Sequence, residues 1–332
     1  MKIFNNFKKI YESVPEIIQS IGMPWSNYVV LRDILKIQKK TRLTALKKQI
    51  IKAAEVKNVY HKLLAPQLGV PSITIKPASH KVYGSYYWGL RFLADVGITS
   101  ADFRLDEIVH QIFIHQMPDG QFTINYRRKN KIPITAVCLT ANLAYSIAAL
   151  GYQFSRGIQA AINFILTTQR QDGGWHCDLK KQVGERDEDA VSCPSANINV
   201  IRALSVYGDR YQHIIKQAVE QIFEHWKNRS ENFRQCDFGI GTTFMKLRYP
   251  PHYWGYDILN VLDTLSFYPE LCRNETFDEM MQQVVEKWDG KGLFKPEKSI
   301  PEWSAFNFAK KNNYSCWISC LICRVLARVY FF

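Results

Sequence analysis

The sequence predicts an all-α fold, a closed α/α barrel or an open superhelix of alternating inner and outer helices. Three observations predict it. A Gln-x3-Gly-x-aromatic motif recurs at helix ends, two classes of apolar segment alternate along the chain, and no strand pattern extends beyond short connectors.

The motif stands at Gln116, Gly120 and Phe122 within "HQMPDGQF", and again at Gln169, Gly173 and Trp175 within "TTQRQDGGWHCD". Each copy closes an amphipathic stretch, "LDEIVHQIFIHQ" and "IQAAINFILTTQ", and is followed by a polar connector and a second apolar segment. A reduced copy, "KWDGKGLF", keeps the Gly292-x-Phe294 ending. Glycine after a helix enters the left-handed conformation at no Cβ cost and stops the helix. The aromatic then folds back between neighbouring hairpins, and the glutamine bonds the backbone of an adjacent turn. The motif is therefore a structural clasp; it contains no nucleophile and no metal site.

The alternating segments follow from their patterning. "GSYYWGLRFLADVG", "TAVCLTANLAYSIAALG", "PSANINVIRALSVYG", "YWGYDILNVLDTLSFY" and "YSCWISCLICRVLARVYFF" are apolar nearly all round, which predicts inner helices buried on both sides. "FRLDEIVHQIFIHQ", "IQAAINFILTTQ", "YQHIIKQAVEQIFEHW" and "FDEMMQQVVEK" carry one apolar stripe and a charged face, which predicts outer helices. With the N-terminal helices "YVVLRDILKIQ" and "RLTALKKQIIKAAEV" the count approaches that of a closed ring, and closure hides the ends that an open solenoid must cap. The expected division is a helical region over 1–74, closing or flanking the repeats, and repeats over 75–332 as one continuous domain.

At 332 residues and 47% hydrophobic, the chain can bury a sizeable core and is not disordered. It has no run of 18 uncharged apolar residues and no secretory leader pattern. Eight cysteines are scattered through expected helices without finger spacing, which points to reduced thiols in a cytoplasmic protein. The "CWISCLIC" sulfurs share one helix face and read as a buried stripe. Much of the net charge of +13 lies in the first 65 residues and in "NYRRKNK". Such charge suits nucleic acid or anionic lipid as a partner. No nucleic-acid motif accompanies it, so nucleic acid is not expected. The plainer reading is a solubilising helix face, with peripheral contact to an anionic membrane as the second option.

The clasps and alternating helices resemble the prenyltransferase and squalene-cyclase repeat proteins, the terpenoid cyclase-like α/α toroids. The resemblance covers roughly residues 75–332, and a group of bacterial toroid proteins is similar at "MPWSNYVVLRDIL" and "HYWGYDILNVLDTL". It implies an α/α toroid whose central cavity holds an isoprenoid-type small molecule. The catalytic signatures of the family are changed. The nearest match to the cyclase D-x-D-D acid is Asp187, Glu188 and Asp189, which reads D-x-D-A. Pro194 favours a helix start near Ser192 or Cys193, leaving those acids in a connector. The zinc-binding D-x-C pair of prenyltransferase β-subunits is also missing, because Val191 and Tyr314 stand two before Cys193 and Cys316. No metal or cofactor is therefore expected, with magnesium and zinc left open.

The expected ligand pocket consists of Tyr83, Tyr87, Trp88, Cys193, Asn197, His252, Tyr253, Tyr256, Cys316 and Trp317 at inner-helix starts. Aromatic faces there suit an apolar ligand or a carbocation. Asp257 is the candidate catalytic acid, with N-capping of its helix as the alternative role. Three functions follow: an isoprenoid-handling enzyme, a binding protein that kept the toroid without the chemistry, and a polysaccharide-active α/α barrel. The last wants paired carboxylates, and the inner segments offer only Asp95, Asp257 and Asp263.

Overall fold

Helix follows helix through the described chain. The computed structural model describes residues 2–37, 39–64, 86–125, 133–176, 192–230, 239–252 and 255–332. The first helices are α1 (Lys2–Ile21), α2 (Pro24–Val29, prolonged by a π-helical turn through Ile34), α3 (Lys40–Lys52) and α4 (Ala54–Leu64). α5 (Tyr86–Asp95) and α6 (Asp106–Ile114) come next, then α7 (Val137–Ile147), α8 (Arg156–Thr167), α9 (Pro194–Ser205) and α10 (Gln212–Lys227). α11 (Ile258–Leu265), α12 (Glu275–Val285) and α13 (Cys316–Leu326) complete the set, with shorter helical turns between them. β1 (Thr123–Asn125) and β2 (Pro133–Thr135) form a small antiparallel hairpin with Ile124 opposite Ile134. The protein is thus mostly helical, and strand is confined among the described residues to that connector.

The two helix classes are real. Every residue of α7, α11 and α13 is buried, as are Pro194–Leu204 of α9. α8 instead buries Ile158, Ala161, Ile162 and Ile165, the i, i+3, i+4, i+7 stripe, and solvates its other face. α10 and α12 do the same with Ile215, Ala218, Val219 and Ile222, and with Phe277, Met280, Met281 and Val284.

The clasps follow α6, α8 and α12, and their bonds repeat. Gln116 Nε2 donates to the Gly120 carbonyl and to that of Gly157 at the start of α8, both at 2.8 Å. Gln169 Nε2 donates likewise to Gly173 and to Ile214 in α10, both at 2.8 Å. Gly120 and Gly173 have φ of 98° and 84°, and a Cβ on Gly120 would collide with the Ala160 carbonyl, so glycine is required there. In the third copy Trp288 occupies the glutamine position. Its indole N–H donates to the Gly292 carbonyl at 2.7 Å.

Each clasp is then pinned to the following buried helix. The backbone N–H of Phe122 donates to Thr140 Oγ1 at 3.1 Å, that of Trp175 to Asn197 Oδ1 at 2.9 Å, and that of Phe294 to Ser319 Oγ at 2.8 Å. All three acceptors fall four residues after their helix N-cap, at Ala136, Cys193 and Ser315. Trp175 is fully buried, and its indole N–H donates to the Ile165 carbonyl at 2.7 Å.

The chain divides into two compact units, one of residues 1–57, 240–252 and 256–332 and the other of 58–239 and 253–255. In the first unit the N-terminal helices pack on the C-terminal ones. Phe7, Ile10, Val14 and Ile18 of α1 form a fully buried stripe. Tyr11 stacks on Phe331 at 4.2 Å, and Lys9 lies over the Trp288 ring at 5.4 Å. In α2, Trp25 packs edge-on against Phe306, and the Ser26 carbonyl accepts from Cys320 Sγ at 3.6 Å. α1 thus meets the third clasp where the other clasps meet the next amphipathic helix, and α2 lies beside α13.

Trp175→Ala is expected to cost about 3–5 kcal/mol in urea unfolding, since it empties a fully buried indole site. Trp288→Phe keeps a ring but loses the donor, and should cost about 1–2 kcal/mol. Equal stability of Trp288→Phe and the parent would show that the indole bond does not stand in for the glutamine.

Candidate functional site

In the 58–239 unit, the buried helices bring polar groups together near their starts. Tyr87 and Trp88, in the first turn of α5, are each 1% exposed. The Tyr87 hydroxyl is buried without a hydrogen-bond partner among the described residues. Burial first, then the Cys138 thiol of α7, hold its phenol far above the ordinary tyrosine range. One turn after Cys138, Asn142 donates through Nδ2 to Asn199 Oδ1 of α9 at 3.4 Å. Asn199 Nδ2 donates to the Ser195 carbonyl at 2.8 Å. The Asn142 Oδ1 is also buried without a partner among the described residues. Gly255 at φ 68° passes so close that a Cβ there would lie 3.0 Å from Asn199 Oδ1.

Two expected pocket residues of this unit belong to the clasp. Cys193 is the N-cap of α9, and its N–H donates to the Trp175 carbonyl at 2.7 Å. Asn197 accepts from the Trp175 N–H, and its Nδ2 donates to Gln221 Oε1 at 2.7 Å. The helix starts at Pro194, as its proline suggests.

The other unit gathers the remaining named residues. Asp257 is fully buried and caps α11: Oδ1 accepts from the Asn260 N–H at 3.0 Å and Oδ2 from the His252 N–H at 2.7 Å. Arg248 Nε lies 3.8 Å from the same Oδ2. Both carboxylate oxygens are therefore engaged as acceptors and neither is presented to solvent. Tyr256 packs on Phe244 at 5.0 Å, and Trp317 packs on Tyr249 at 5.6 Å and Phe308 at 6.3 Å. Cys316 is the first residue of α13, and burial raises its thiol to about 11, so it is not a ready nucleophile.

Deeper in the buried helices lie ion pairs. Arg91 meets Asp95 at 3.1 Å, Tyr145 donates to Asp95, and the Arg91 and Arg202 guanidinia lie 5.1 and 5.4 Å from the Tyr145 ring centre. In the other unit Arg324 binds Asp263 through two nitrogens at 2.9 and 2.8 Å and reaches Asp33 at 3.5 Å. Tyr145, Arg202 and Arg324 all stand nine residues after their helix N-cap. Asp95, Asp257 and Asp263, the carboxylates available for sugar chemistry, thus each face an arginine.

Tyr83, Tyr253 and the carboxylates Asp187, Glu188 and Asp189 lie outside the described residues. Among the described residues, no group of three or more His, Cys, Asp or Glu side chains is placed to hold a metal ion, and no helix is long and apolar enough to cross a membrane. No protein-family model and no curated protein matches this chain.

Asn142 and Asn199 were not among the residues the sequence singled out. Their signal was available: each is an asparagine within a helix buried along its length, six residues after its helix N-cap.

His252 and His225 are each lowered to about 4 from 6.5, by burial in both and by Arg248 as well at His252. A histidine kept neutral by the fold contributes stability that is complete above the unfolded value near pH 6.5 and declines as the pH falls towards 4. Urea midpoints should drop across that range, and the drop should shrink in His225→Gln/His252→Gln. An unchanged pH slope in the double variant would assign the acid sensitivity to other groups.

Proposed function

We propose that this protein is a terpenoid cyclase-like α/α toroid that binds a mostly apolar, isoprenoid-type ligand through a neutral polar end. The observation that carries the reading is the pair of buried polar atoms, Tyr87 Oη and Asn142 Oδ1, that lack partners among the described residues on neighbouring buried helices. An unsatisfied buried polar atom costs about 1–3 kcal/mol. A ligand hydroxyl can answer either atom, by accepting from the tyrosine or by donating to the amide oxygen. Buried apolar side chains of the same two helices, such as Trp88, Leu90, Leu139 and Leu143, suit a hydrocarbon chain. Burial of such a chain at roughly 25 cal/mol per Å² supports micromolar affinity after association costs.

Binding is favoured over proton-initiated cyclisation. Asp257 spends both oxygens on capping and on Arg248, and the sequence lacks the D-x-D-D acid. The reading is of a carrier or sequestering protein rather than an acid catalyst.

The test is titration with farnesol, farnesyl diphosphate and squalene, followed by product analysis. Farnesol should bind without turnover. Tyr87→Phe should weaken farnesol about tenfold, the worth of one hydrogen bond, while stabilising the ligand-free protein by about 1 kcal/mol through loss of an unsatisfied hydroxyl. A folded sample that binds none of the three ligands removes the isoprenoid reading. Farnesol binding unaffected by Tyr87→Phe removes the polar anchor.

A further inference from the structure

Residues 36–57 carry eight lysines and arginines against a single acid, Glu55, and so hold much of the net charge of +13. The structure gives this run a shape. Leu43, Leu46 and Ile50 of α3 recur at i, i+3 and i+7 and turn towards the protein, where Ile50 is buried and the two leucines are half-buried. The opposite face is therefore the solvent face. It carries Arg42, Lys48 and Lys52, all exposed, and exposed Lys39 and Lys40 stand at the helix start. α3 contains no acidic residue, and none of these five cations takes part in an ion pair within 4 Å among the described residues. Arg42 makes one hydrogen bond, to the neutral Gln19 Oε1 at 3.3 Å. The face is thus an array of positive charge without ion-pair partners among the described residues, held along one helix and its N-cap.

Exposed apolar side chains belong to the same unit, one of them a few residues before α3 in the chain. Leu35 is 38% exposed and Phe332 51% exposed, and Lys36 Nζ lies 3.6 Å from the Phe332 ring centre. A lysine snorkelling beside an exposed aromatic is the arrangement suited to a lipid headgroup layer, where the ring enters the interface and the ammonium meets phosphate.

We propose that the α3 face, with Lys36, Leu35 and Phe332 beside it, docks this protein on an anionic phospholipid bilayer. Charge complementarity names the partner. Seven of the eight cations are lysines, which act as point charges on a diffuse anionic surface, whereas bidentate reading of nucleic-acid phosphates and bases favours arginine. No aromatic residue stands among residues 36–57 to stack on a base. The exposed leucine and phenylalanine have a use at a lipid interface and none on a phosphate backbone. The docking is peripheral, and it does not depend on the ligand reading above.

Sedimentation of the full-length protein with vesicles tests it. One set is phosphatidylcholine alone, and the other contains about one third phosphatidylglycerol; a short RNA duplex and a DNA duplex are run in parallel. The protein should sediment with the anionic vesicles and stay in solution with the neutral ones. Raising salt from 50 to 500 mM should release it. Each charge removed near the surface should weaken partitioning about fivefold. Arg42→Gln/Lys48→Gln/Lys52→Gln should therefore lose anionic binding while keeping the parent circular dichroism spectrum. Phe332→Ser, a change at an exposed position, should weaken binding less and leave its salt dependence in place. Absence from both vesicle sets, equal binding to neutral vesicles, or retention by the triple variant overturns the proposal. Binding to either duplex without binding to anionic vesicles assigns the face to nucleic acid instead.

Discussion

One buried backbone donor organises each repeat. The chain leaves an amphipathic helix, turns at a glycine and drives an aromatic side chain inward. That turn carries the aromatic residue's own N–H into the interior, where a donor without an acceptor is costly. Thr140, Asn197 and Ser319 supply the acceptor, always four residues into the next buried helix. The bond sets the axial position of the buried helix against the turn before it. The glutamine, or Trp288 in its place, closes the turn, and Gln116 and Gln169 also tie it to the amphipathic helix that follows. Register along each unit thus rests on a few short side-chain bonds, while burial of the stripes supplies most of the stabilisation.

Each unit also holds buried arginine–carboxylate clusters. Arg324 bridges Asp263 of α11 and Asp33 of the N-terminal region, so charges far apart in sequence meet inside one core. The two guanidinium bonds to Asp263 are short and parallel, the arrangement in which a buried pair recovers most of its desolvation cost. Asp33 is lowered to about 2 by Arg32 and Arg324 acting against burial. These pairs explain why a helix as apolar as "CWISCLICRVL" carries a lone arginine. They specify which helices neighbour one another more sharply than methyl groups do.

The functional argument turns on what the interior leaves unsatisfied. Most polar side chains of the buried helices are spent on clasps, caps or ion pairs, Asp257 and Asn197 among them. Aromatic residues in the 240–332 region largely pack on one another. Tyr87 Oη and Asn142 Oδ1 are two of the buried polar atoms left without a hydrogen-bond partner among the described residues, and they stand on neighbouring helices, which is why the proposed anchor falls on α5 and α7 and not on the carboxylate. The basic face of α3 is a separate feature, with its own chemistry.

The sequence by itself determined the helix classes and the clasps. Periodicity separates a helix buried all round from one with a single stripe, and Gly120 and Gly173 announce turns that only glycine makes. The start of α9 was legible because Pro194 fixes its own φ and lacks a donor. Only the tertiary structure decided that Trp288 replaces a glutamine, because an indole and an amide share a donor but no sequence likeness. Only it placed α1 against Trp288 and α2 beside α13, a pairing set by complementary stripes far apart in the chain. It also decided the fate of each polar residue. Asp257 and Tyr87 look equally suited to a ligand in the sequence, yet one has every oxygen occupied and the other has a buried hydroxyl without a hydrogen-bond partner among the described residues. A hydrogen bond depends on where its partner stands in space, and spacing along the chain does not carry that information.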